Sequence, residues 1–405
     1  MRKFVQMGAG KVGRSFVAQL FSAAGYEVVF SEVNPAVLAA LNARREYTVE
    51  VKDRAPATLR VRNVRAVDGR DPEAVARELA DCDCAATSVG PDYLRFTYPG
   101  IAQGLLLRDA AGGSPLDIIL AENLREAAHV VREGVRSLLP EGFPLEARLG
   151  LVETSIGKMV PIMSPEEEAR DPLLVYAEAY NTLICDAKGF LGGVPPVRGL
   201  DAKQNITAYV DRKSFIHNLG HALCAYFAHL EAPELTTTWQ AVEHPRVGPA
   251  TRAGMWESAR SLMAAYPEEL DETNQGAHIE DLLSRFSNRA LGDTIYRVGR
   301  DLQRKLGPED RVIGALRFDE AQGIEAPVTT LCAAAGMLFR ATDESGAPFE
   351  KDRLFAEEIY PRGVEHVLET VCGLSPGETL FERLRDAHAA VVDAREDGRS
   401  ILDLL

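Results

Sequence analysis

The sequence predicts an α/β protein with an N-terminal Rossmann domain and a mostly α-helical C-terminal domain. Three observations support this. A β-type run leads directly into a glycine-rich segment and a helical pattern, strand and helix patterns alternate through the first half, and β-like alternation nearly disappears after residues 189–199. A chain of 405 residues exceeds the size at which one hydrophobic core stops growing. We place the Rossmann domain at residues 1–192 and the helical domain at residues 193–405.

The first half opens with a βαβ pattern, which builds a parallel sheet. Lys3–Met7 predicts a strand, Val12–Ala24 a helix and Tyr26–Glu32 a second strand. Asn34 and Pro35 are the residue types that cap and begin the next helix. Further strands are predicted at Tyr47–Val51, Leu59–Val67, Cys84–Ser88 and Leu116–Ala121, and a long helix at Asn205–Leu230.

The composition is that of a globular chain, with 46% hydrophobic and 26% charged residues. A formal net charge of -15 repels polyanions, so we expect no nucleic-acid partner. No segment approaches the roughly 20 apolar residues of a membrane-spanning helix, so we expect no membrane partner and a cytoplasmic location. The cysteines form no C-x-x-C pair and lie in apolar stretches, which predicts reduced core thiols and no metal site. They are Cys82, Cys84, Cys185, Cys224, Cys332 and Cys372.

The segment that follows the first strand has the G-x-G-x-x-G pattern of a dinucleotide-binding turn. Its glycines allow a tight turn, close approach of the backbone to a pyrophosphate, and close packing of helix on sheet. Glu32 ends the second strand, where a carboxylate accepts hydrogen bonds from ribose hydroxyls and repels a 2'-phosphate. We therefore predict NAD, rather than NADP, as the cofactor. The residues predicted to bind it here are Gly8, Gly10, Lys11, Val12, Gly13 and Glu32.

Ser88 and Gly90 end a later strand. The carboxyl edge of an open α/β sheet is where such folds bind ligands. We predict that these two residues line the nicotinamide side of the cofactor, although a plain strand-ending turn explains them almost as well.

The helical segment Asp211–His221 has the most informative spacing. Lys213, Asn218 and His221 are separated by five and three residues, and steps of about 100° leave the lysine and the histidine within roughly 80° of each other on an α-helix. Burial and neighbouring cations can lower a lysine pKa to about 7 to 8, where the amine takes a proton from an alcohol. The spacing thus indicates a lysine general base, although such residues are more often surface and core-edge residues.

In its Rossmann context, the pattern K-x4-N-x2-H resembles the signature of the polyol-specific long-chain dehydrogenases. This metal-independent family interconverts sugar alcohols and their ketoses, and the chain is most similar to the branch that uses hexitol phosphates. The resemblance spans most of the chain. The matching segments are Gly8–Arg14, Glu32–Asn34, Leu41–Arg44, Ala121–Asn123, Asp211–Phe215, Asn218–Ala222, Arg285–Asn288, Arg297–Arg300, Arg304–Leu306 and Asp310–Arg311.

The resemblance implies a role for each matching site residue. Lys213 would be the general base, and His221 would hold a substrate hydroxyl. Asn218 and Asn123 would donate hydrogen bonds to the developing alkoxide, because neutral amides stabilise an oxyanion without competing for the proton. Hydride would pass directly to the nicotinamide, without a metal. Asn123 also lies where a strand gives way to a helix, so it fits a helix N-cap as well.

Two positions depart from the family pattern. Gly157 stands in the segment Ser155–Pro161, where the hexitol-phosphate enzymes usually have an acidic residue. His217 is also unusual, and it faces either the pocket or the opposite side of its helix. Which polyol the chain would use therefore stays open.

Basic residues cluster late in this acidic chain. Arginine binds phosphate and carboxylate bidentately, so we predict that Arg297 and Arg300 hold an anionic end of the substrate. Ion pairs between helices explain the cluster equally well. Its members are Arg297, Arg300, Arg304, Lys305 and Arg311.

These features together predict an NAD-dependent enzyme, preferably monomeric, that interconverts a hexitol phosphate such as mannitol 1-phosphate with its ketose. Its expected partner is the small-molecule polyol or polyol phosphate. A free polyol such as mannitol, or a sugar acid such as altronate, is the alternative within the family, because arginine also binds carboxylates. A non-catalytic NAD(H) sensor is the alternative from another class, but a sensor has no reason to keep Lys213, Asn218 and His221 together.

Overall fold

The chain folds into two compact units, the first ending at Tyr209 and the second beginning at Val210. The computed structural model describes residues 2–161 and 163–405, so Met1 and Ile162 of the predicted Rossmann domain lie outside the described residues. Strands and helices alternate in the first unit, and the second unit is helical. This is the predicted fold class.

The described strands of the first unit form an eight-stranded and a three-stranded sheet. They are β1 (Lys3–Met7), β2 (Glu27–Glu32), β3 (Glu46–Val51), β4 (Ala57–Arg62), β5 (Val64–Asp68), β6 (Cys84–Thr87), β7 (Leu116–Leu120), β8 (Leu149–Ser155), β9 (Val175–Ala177), β10 (Leu183–Asp186) and β11 (Leu200–Lys203). The order is β11-β10-β8-β7-β6-β1-β2-β5 in the large sheet and β4-β3-β9 in the small one. In the large sheet β10 runs antiparallel to β8, and the other neighbours are parallel.

The large sheet buries apolar side chains on both faces. Along β1, Phe4 belongs to one core cluster and Val5 to another, because successive residues of a strand point to opposite faces. Every residue of β6 and β7 is buried. This is typical of parallel strands covered by helices on both sides. The carboxyl ends of β1, β6 and β7 therefore lie side by side at one edge of the sheet.

The described helices of the first unit flank these strands. They are α1 (Ala18–Ala23), α2 (Pro35–Arg44), α3 (Pro72–Asp81), α4 (Tyr98–Ala110), α5 (Ala127–Arg136), α6 (Leu145–Arg148) and α7 (Pro165–Arg170), with a π-helical turn at Gly13–Val17 and 3-10 turns at Pro91–Thr97 and Ala187–Gly189. The predicted cap of α2 is confirmed. The Asn34 side chain accepts hydrogen bonds from the N–H groups of Ala36 at 3.0 Å and Val37 at 3.4 Å.

The prediction of one strand over Leu59–Val67 is wrong. The chain reverses at Asn63, whose φ of 58° lies in the left-handed region that asparagine tolerates. The residues before it pair with β3 in the small sheet, whereas those after it pair with β2 in the large sheet. The small sheet also pairs Val49 in β3 with Val175 in β9, which lies far along the chain.

The first unit continues beyond the predicted boundary at residue 192. After the glycine- and proline-rich stretch, β11 pairs in parallel with β10, with Leu183 opposite Leu200. The large sheet therefore gains one more strand, and the division between the units falls at Tyr209. A strand of four residues of mixed polarity has too little periodic pattern to be recognised in the sequence.

The described helices of the second unit pack around fully buried segments. They are α8 (Ile206–Arg212), within which the division falls, α9 (Leu219–Glu231), α10 (Thr238–Glu243), α11 (Val247–Ala265), α12 (Glu272–Phe286), α13 (Ile295–Gly299), α14 (Leu302–Lys305), α15 (Ile313–Ala321), α16 (Pro327–Met337), α17 (Glu350–Leu354), α18 (Val364–Thr370) and α19 (Thr379–Glu396). π-helical turns occur at Lys213–Asn218 and Phe355–Ile359, and 3-10 turns at Arg289–Leu291, Tyr360–Arg362 and Ile401–Leu404. No helix in the described chain is long and apolar enough to cross a membrane. The predicted cysteine state is confirmed, since all six are free and buried.

Candidate active site

The glycine loop after β1 is shaped by close backbone contacts. Gly8 has a φ of 93°, and a Cβ there would lie 2.7 Å from the carbonyl oxygen of Ser88. A Cβ on Gly13 would lie 2.3 Å from the carbonyl oxygen of Gly8. A Cβ on Gly10, in contrast, would meet its nearest neighbour only at 4.0 Å. Gly8 and Gly13 thus serve the turn itself, whereas the space at Gly10 remains open for a ligand to approach the backbone.

Ser88 joins the end of β6 to this loop. Its N–H donates to the carbonyl oxygen of Met7 at 2.9 Å. Its hydroxyl donates to the carbonyl oxygen of Gly8 at 3.3 Å and accepts from the side-chain amide of Gln6 at 3.0 Å. Ser88 therefore lies at the glycine loop, beside the turn that continues to Gly90.

Glu32 is bound to the same loop from the end of β2. Its Oε2 accepts from the Ala9 N–H at 2.9 Å, and its Oε1 accepts from the N–H groups of Val33 and Asn34 at 2.7 Å each. A carboxylate has about four acceptor positions. Three backbone donors therefore leave capacity for a ribose hydroxyl, and the residues present fit a dinucleotide whose 2'-hydroxyl is free.

Lys11 and Val12 have different surroundings. The Lys11 ammonium forms an ion pair with Glu168 at 2.8 Å, and both side chains are about half exposed. Val12 packs against the hydrophobic core of the unit. The structure thus leaves the Lys11 amine accessible from solvent and gives Val12 a packing role under the loop.

In the second unit, the predicted catalytic segment is a π-helical turn over Lys213–Asn218. Such turns have i→i+5 hydrogen bonds and often occur at functional sites. The extra residue changes the angles between side chains, so the α-helical argument for a shared face does not transfer. The ring of His217 lies 5.1 Å from that of His221, centroid to centroid, and His221 stacks on Phe286 at 4.2 Å.

The imidazole of His221 has an unusual environment. Its Nε2 is buried and has no hydrogen-bond partner within the described residues. Burial holds the pKa of His221 well below its usual range, and the charges of Arg311, Arg297 and Lys305 lower it further. A neutral imidazole with a free ring nitrogen in a positive field can bind the hydroxyl of an anionic molecule.

The arginines of this region do not share one role. Arg297 forms an ion pair with Asp293, which lies just before the helix of Arg297, yet the Nε of Arg297 is buried without a partner in the described chain. Arg300 makes no ion pair with any described residue; its guanidinium lies 5.4 Å from the ring centroid of Tyr296 and 5.1 Å from that of Phe349. The ion-pair interpretation therefore does not account for Arg300.

Two other arginines are ion-paired. Arg304 contacts Asp301 at 2.5 Å and Asp310 at 3.1 Å, and Arg311 contacts Asp310 at 2.7 Å. Lys305 is only 4% exposed and donates to the carbonyl oxygen of Val298 at 2.5 Å. The cluster thus includes structural ion pairs, but its field still acts on His221.

Two models of protein-family domains match the chain. The model of the mannitol dehydrogenase Rossmann domain matches residues 2–199, and that of the mannitol dehydrogenase C-terminal domain matches residues 205–392. The chain belongs to the mannitol dehydrogenase family. It is therefore an oxidoreductase with a dinucleotide-binding Rossmann domain, and the family prediction is confirmed.

Relatives cover nearly the whole of this mannitol dehydrogenase family member. The mannitol-1-phosphate 5-dehydrogenase of Brevibacillus brevis is 31% identical over 384 residues, which are 94% of this chain and 96% of the relative. That of Bacillus pumilus is 33% identical over 387 residues, which are 94% of this chain and 98% of the relative. The chain is thus similar to these enzymes over both of its units.

Solved structures show the same fold at lower identity. The ternary complex of Pseudomonas fluorescens mannitol 2-dehydrogenase with NAD and D-mannitol has a TM-score of 0.71 at 15% identity, and the match covers 100% of this chain and 93% of that one. A substrate-free D-sorbitol dehydrogenase has a TM-score of 0.79 at 16% identity, with 99% and 95% covered.

One of the alternatives for Asn123 is wrong in this mannitol dehydrogenase family member. A turn separates Asn123 from α5, and the residue at the N-cap position is Glu126, whose φ is 54°. Asn123 is instead exposed just beyond β7. The helix begins later than the sequence pattern suggested, and the N–H of Ala128 in its first turn donates to the Glu153 carboxylate at 3.0 Å.

The segment around Gly157 holds its basic residue inside the unit. The Lys158 ammonium donates to the Tyr180 carbonyl oxygen at 2.7 Å and to the Asn181 side chain at 3.0 Å. A buried carboxylate, Glu178, accepts from the adjacent N–H of Met159. An acidic group thus lies beside this segment, although it comes from a later part of the chain than the family pattern suggests.

Two residues near the predicted sites were not assigned a role from the sequence. Phe286 stacks on His221, and Glu122 binds the turn at Gly90. Of these, only Glu122 had a recognisable signal, namely a carboxylate directly after the mostly apolar predicted strand Leu116–Ala121. Among the described residues, no group of His, Cys, Asp and Glu side chains is arranged to hold a metal ion.

Proposed function

We propose that the chain is an NAD-dependent dehydrogenase that interconverts a hexitol phosphate, such as mannitol 1-phosphate, with its ketose phosphate. The observation that carries this proposal is the unpartnered, buried Nε2 of His221 in the field of Arg311 and Arg297. In a chain of net charge -15, such a local positive field favours an anionic ligand. Relatives named mannitol-1-phosphate 5-dehydrogenase support the same substrate class.

The cofactor proposal rests on the glycine loop and Glu32. The open space at Gly10 suits a pyrophosphate, and the carboxylate of Glu32 suits a free ribose 2'-hydroxyl. Ser88 and Gly90 would border the nicotinamide half from the end of β6. Lys11 would exchange its ion pair with Glu168 for the pyrophosphate charge. A mannitol 2-dehydrogenase of this fold has been solved with NAD.

Each catalytic residue has a defined task in this proposal. The Nζ of Lys213 removes the proton from the reacting hydroxyl, as a positioned general base. The amides of Asn218 and Asn123 donate to the oxygen as its negative charge develops. His221 holds a neighbouring hydroxyl of the polyol through Nε2. Bound NAD would supply the hydride acceptor.

Arg300 is the best candidate for the contact with the substrate's anionic group. Its guanidinium makes no ion pair in the described chain, so binding a phosphate would not require breaking one. Arg297 is a weaker candidate, because Asp293 already neutralises it, although its Nε remains without a partner. A bidentate arginine contact is worth about 1.5 to 3 kcal/mol, or roughly ten- to a hundredfold in specificity.

A neutral polyol is the second candidate substrate. The ion pairs of Arg304 and Arg311 with Asp310 favour a structural role for part of the cluster. The solved relative of this fold also holds the neutral polyol D-mannitol. A site built for a neutral polyol would need the free hydrogen-bonding nitrogen of His221 but not the unpaired Arg300.

A substrate panel distinguishes the two. We would compare kcat/KM for mannitol 1-phosphate, altronate and mannitol with NAD, and for fructose 6-phosphate with NADH, in wild type, Arg297→Ala and Arg300→Ala. We expect mannitol 1-phosphate to exceed mannitol by at least tenfold and the Arg300 variant to lose most of that margin. Equal turnover of mannitol, with both variants unaffected, would assign the chain to the neutral-polyol members. Turnover of none of these would contradict the proposal.

A further inference from the structure

Glu122 is a buried carboxylate that holds the turn at the end of the neighbouring strand. It follows β7 and is only 5% exposed. Its Oε1 accepts from the Val89 N–H at 3.0 Å, and its Oε2 accepts from the Gly90 N–H at 2.8 Å. Both oxygens are therefore used to bind one turn of backbone.

Backbone hydrogen bonds hold the two ends of that turn, since the Ser88 N–H donates to the Met7 carbonyl oxygen at 2.9 Å and the Gly90 carbonyl oxygen accepts from the Tyr93 N–H at 3.0 Å. Gly90 has a φ of 89°, a conformation that a side chain would strain. A Cβ on Gly8 would lie 3.0 Å from a methyl of Val89, so the turn also packs against the glycine loop. A shift of the turn would therefore be transmitted to the loop, because closely packed protein interiors have low compressibility and transmit strain.

Glu122 also directly precedes Asn123. The Thr154 hydroxyl donates to the carbonyl oxygen of Leu120 at 2.7 Å, and the Ala121 N–H donates to the carbonyl oxygen of Thr87 at 3.0 Å. The backbone is thus fixed up to Ala121, and the two hydrogen bonds of the Glu122 side chain fix it one residue further. Asn123 is the first residue beyond this anchor.

We infer that Glu122 is a positioning residue that aligns Asn123 with the 88–90 turn, so that the nicotinamide half of the cofactor and the oxyanion-binding amide keep one fixed relationship. The inference rests on the proposed function for the role of Asn123. It does not depend on which polyol is the substrate. In this role Glu122 acts through the backbone and touches neither the substrate nor the reacting atoms.

The same strand provides a matched control. Asp117, near the amino end of β7, is also 5% exposed and accepts from the N–H groups of Leu191 and Gly192 at 2.9 Å each. Burial raises the pKa of Asp117 and of Glu122 alike, and the backbone N–H donors oppose this. Asp117→Asn and Glu122→Gln therefore remove equivalent interactions from opposite ends of one strand.

The test measures NADH affinity, by the fluorescence of the bound dinucleotide, together with kcat, KM and the melting temperature. We expect both variants to lower the melting temperature by similar amounts. Only Glu122→Gln should weaken NADH binding, by about tenfold or more, because one charge-assisted hydrogen bond is lost at the turn. It should also lower kcat more than it raises KM for the polyol.

A double-mutant cycle with Asn123→Ala tests the action through Asn123. If Glu122 acts by placing that amide, its effect on kcat should largely disappear in the Asn123→Ala background. Fully additive effects on kcat, or NADH affinity that both variants leave at the wild-type value, would overturn the inference. Should Glu122→Gln fold poorly, Glu122→Asp keeps the charge one methylene short, and wild-type NADH affinity in that variant would also overturn it. The NADH measurement needs no substrate, so a wrong polyol assignment would not affect it.

Discussion

The N–H of Ala9 donates a hydrogen bond to Oε2 of Glu32 at 2.9 Å, so the carboxylate at the end of β2 is fixed on the glycine loop. A fixed negative charge at this position repels a 2'-phosphate more strongly than a mobile one, because the carboxylate cannot turn away at low cost. This relationship determines what Glu32 should do to cofactor choice.

We expect kcat/KM to favour NAD over NADP by at least tenfold, and Glu32→Ser to reduce that preference. Steady-state kinetics with both cofactors at one polyol concentration provides the measurement. Glu27→Ser, at the other end of β2, is the control and should leave the ratio unchanged. Equal use of the two cofactors by the wild type would refute the assignment of Glu32.

Two glycines of the loop should respond differently to the same substitution. A Cβ on Gly13 would lie 2.3 Å from a backbone oxygen, so Gly13→Ala should lower the melting temperature of the free protein. Gly10→Ala should leave that temperature nearly unchanged, since the nearest atom lies 4.0 Å away, and should weaken NADH binding. Thermal melts without and with NADH separate these effects. Unaltered NADH affinity in Gly10→Ala would mean that the open space is not the pyrophosphate site.

Activity should survive chelation, because the proposed base is a lysine and the described residues offer no metal-binding group. The measurement is turnover before and after EDTA treatment and dialysis. A zinc-dependent alcohol dehydrogenase treated in parallel is a suitable control for complete chelation. Loss of turnover that added zinc restores would contradict the prediction.

Lys213→Ala should lower kcat by a factor on the order of 10² to 10⁴, which is the usual contribution of a positioned general base. Lys351→Ala, which removes an exposed lysine of the same unit, is the matched control and should behave as wild type. Melting temperatures of both variants separate lost chemistry from lost folding. A Lys213→Ala enzyme that folds and keeps the wild-type rate would show that the base lies elsewhere.

The contribution of Asp319 to stability should fall as the pH rises towards neutrality. Burial raises the pKa of this carboxyl group to about 7, and Glu257 contributes to the shift. The native state therefore keeps its proton between about pH 4 and pH 7, where an unfolded aspartate has lost it, and the native state is penalised increasingly over that window. Ser261 donates to Asp319 at 2.5 Å, and an asparagine could still accept that bond.

The free energy of unfolding of Asp319→Asn, relative to that of wild type, should accordingly rise by on the order of 2 to 4 kcal/mol when the pH is raised from 5 to 8. Urea unfolding at both pH values measures the change, and a constant packing cost cancels in the comparison. Asp386→Asn, at a side chain that is 72% exposed, is the control for the substitution itself. A pH-independent difference for Asp319→Asn would mean that the carboxyl group is ionised throughout.

Much of the fold follows from local pattern. The sequence predicted the opening βαβ unit, the strands β1, β6 and β7, and the helix cap at Asn34, because each has a recognisable local pattern. The chain reversal inside one predicted strand and the additional strand after residue 192 were not recognisable from the sequence. The reversal at Asn63 depends on one left-handed residue, and β11 depends on a partner strand, which the local sequence does not specify.

Part of the candidate site was likewise predictable from the sequence, and part was not. The tight turn at the glycine loop and the position of Glu32 at the end of the second strand were predictable, because the turn chemistry and the sequence spacing coincide there. The environment of His221 was not, because Phe286 reaches it through tertiary packing rather than through sequence spacing. The π-helical turn at Lys213–Asn218 also has no sequence pattern that separates it from an α-helix.

The pairing of Val49 with Val175 in the small sheet has a consequence for how refolding should be followed. Contacts between residues so distant in sequence form slowly, whereas the largely local contacts of helices form fast. Both tryptophans, Trp239 and Trp256, belong to the helical second unit. Tryptophan fluorescence after dilution from denaturant therefore reports on the helical unit alone, and its full recovery would precede the return of a cofactor-competent molecule.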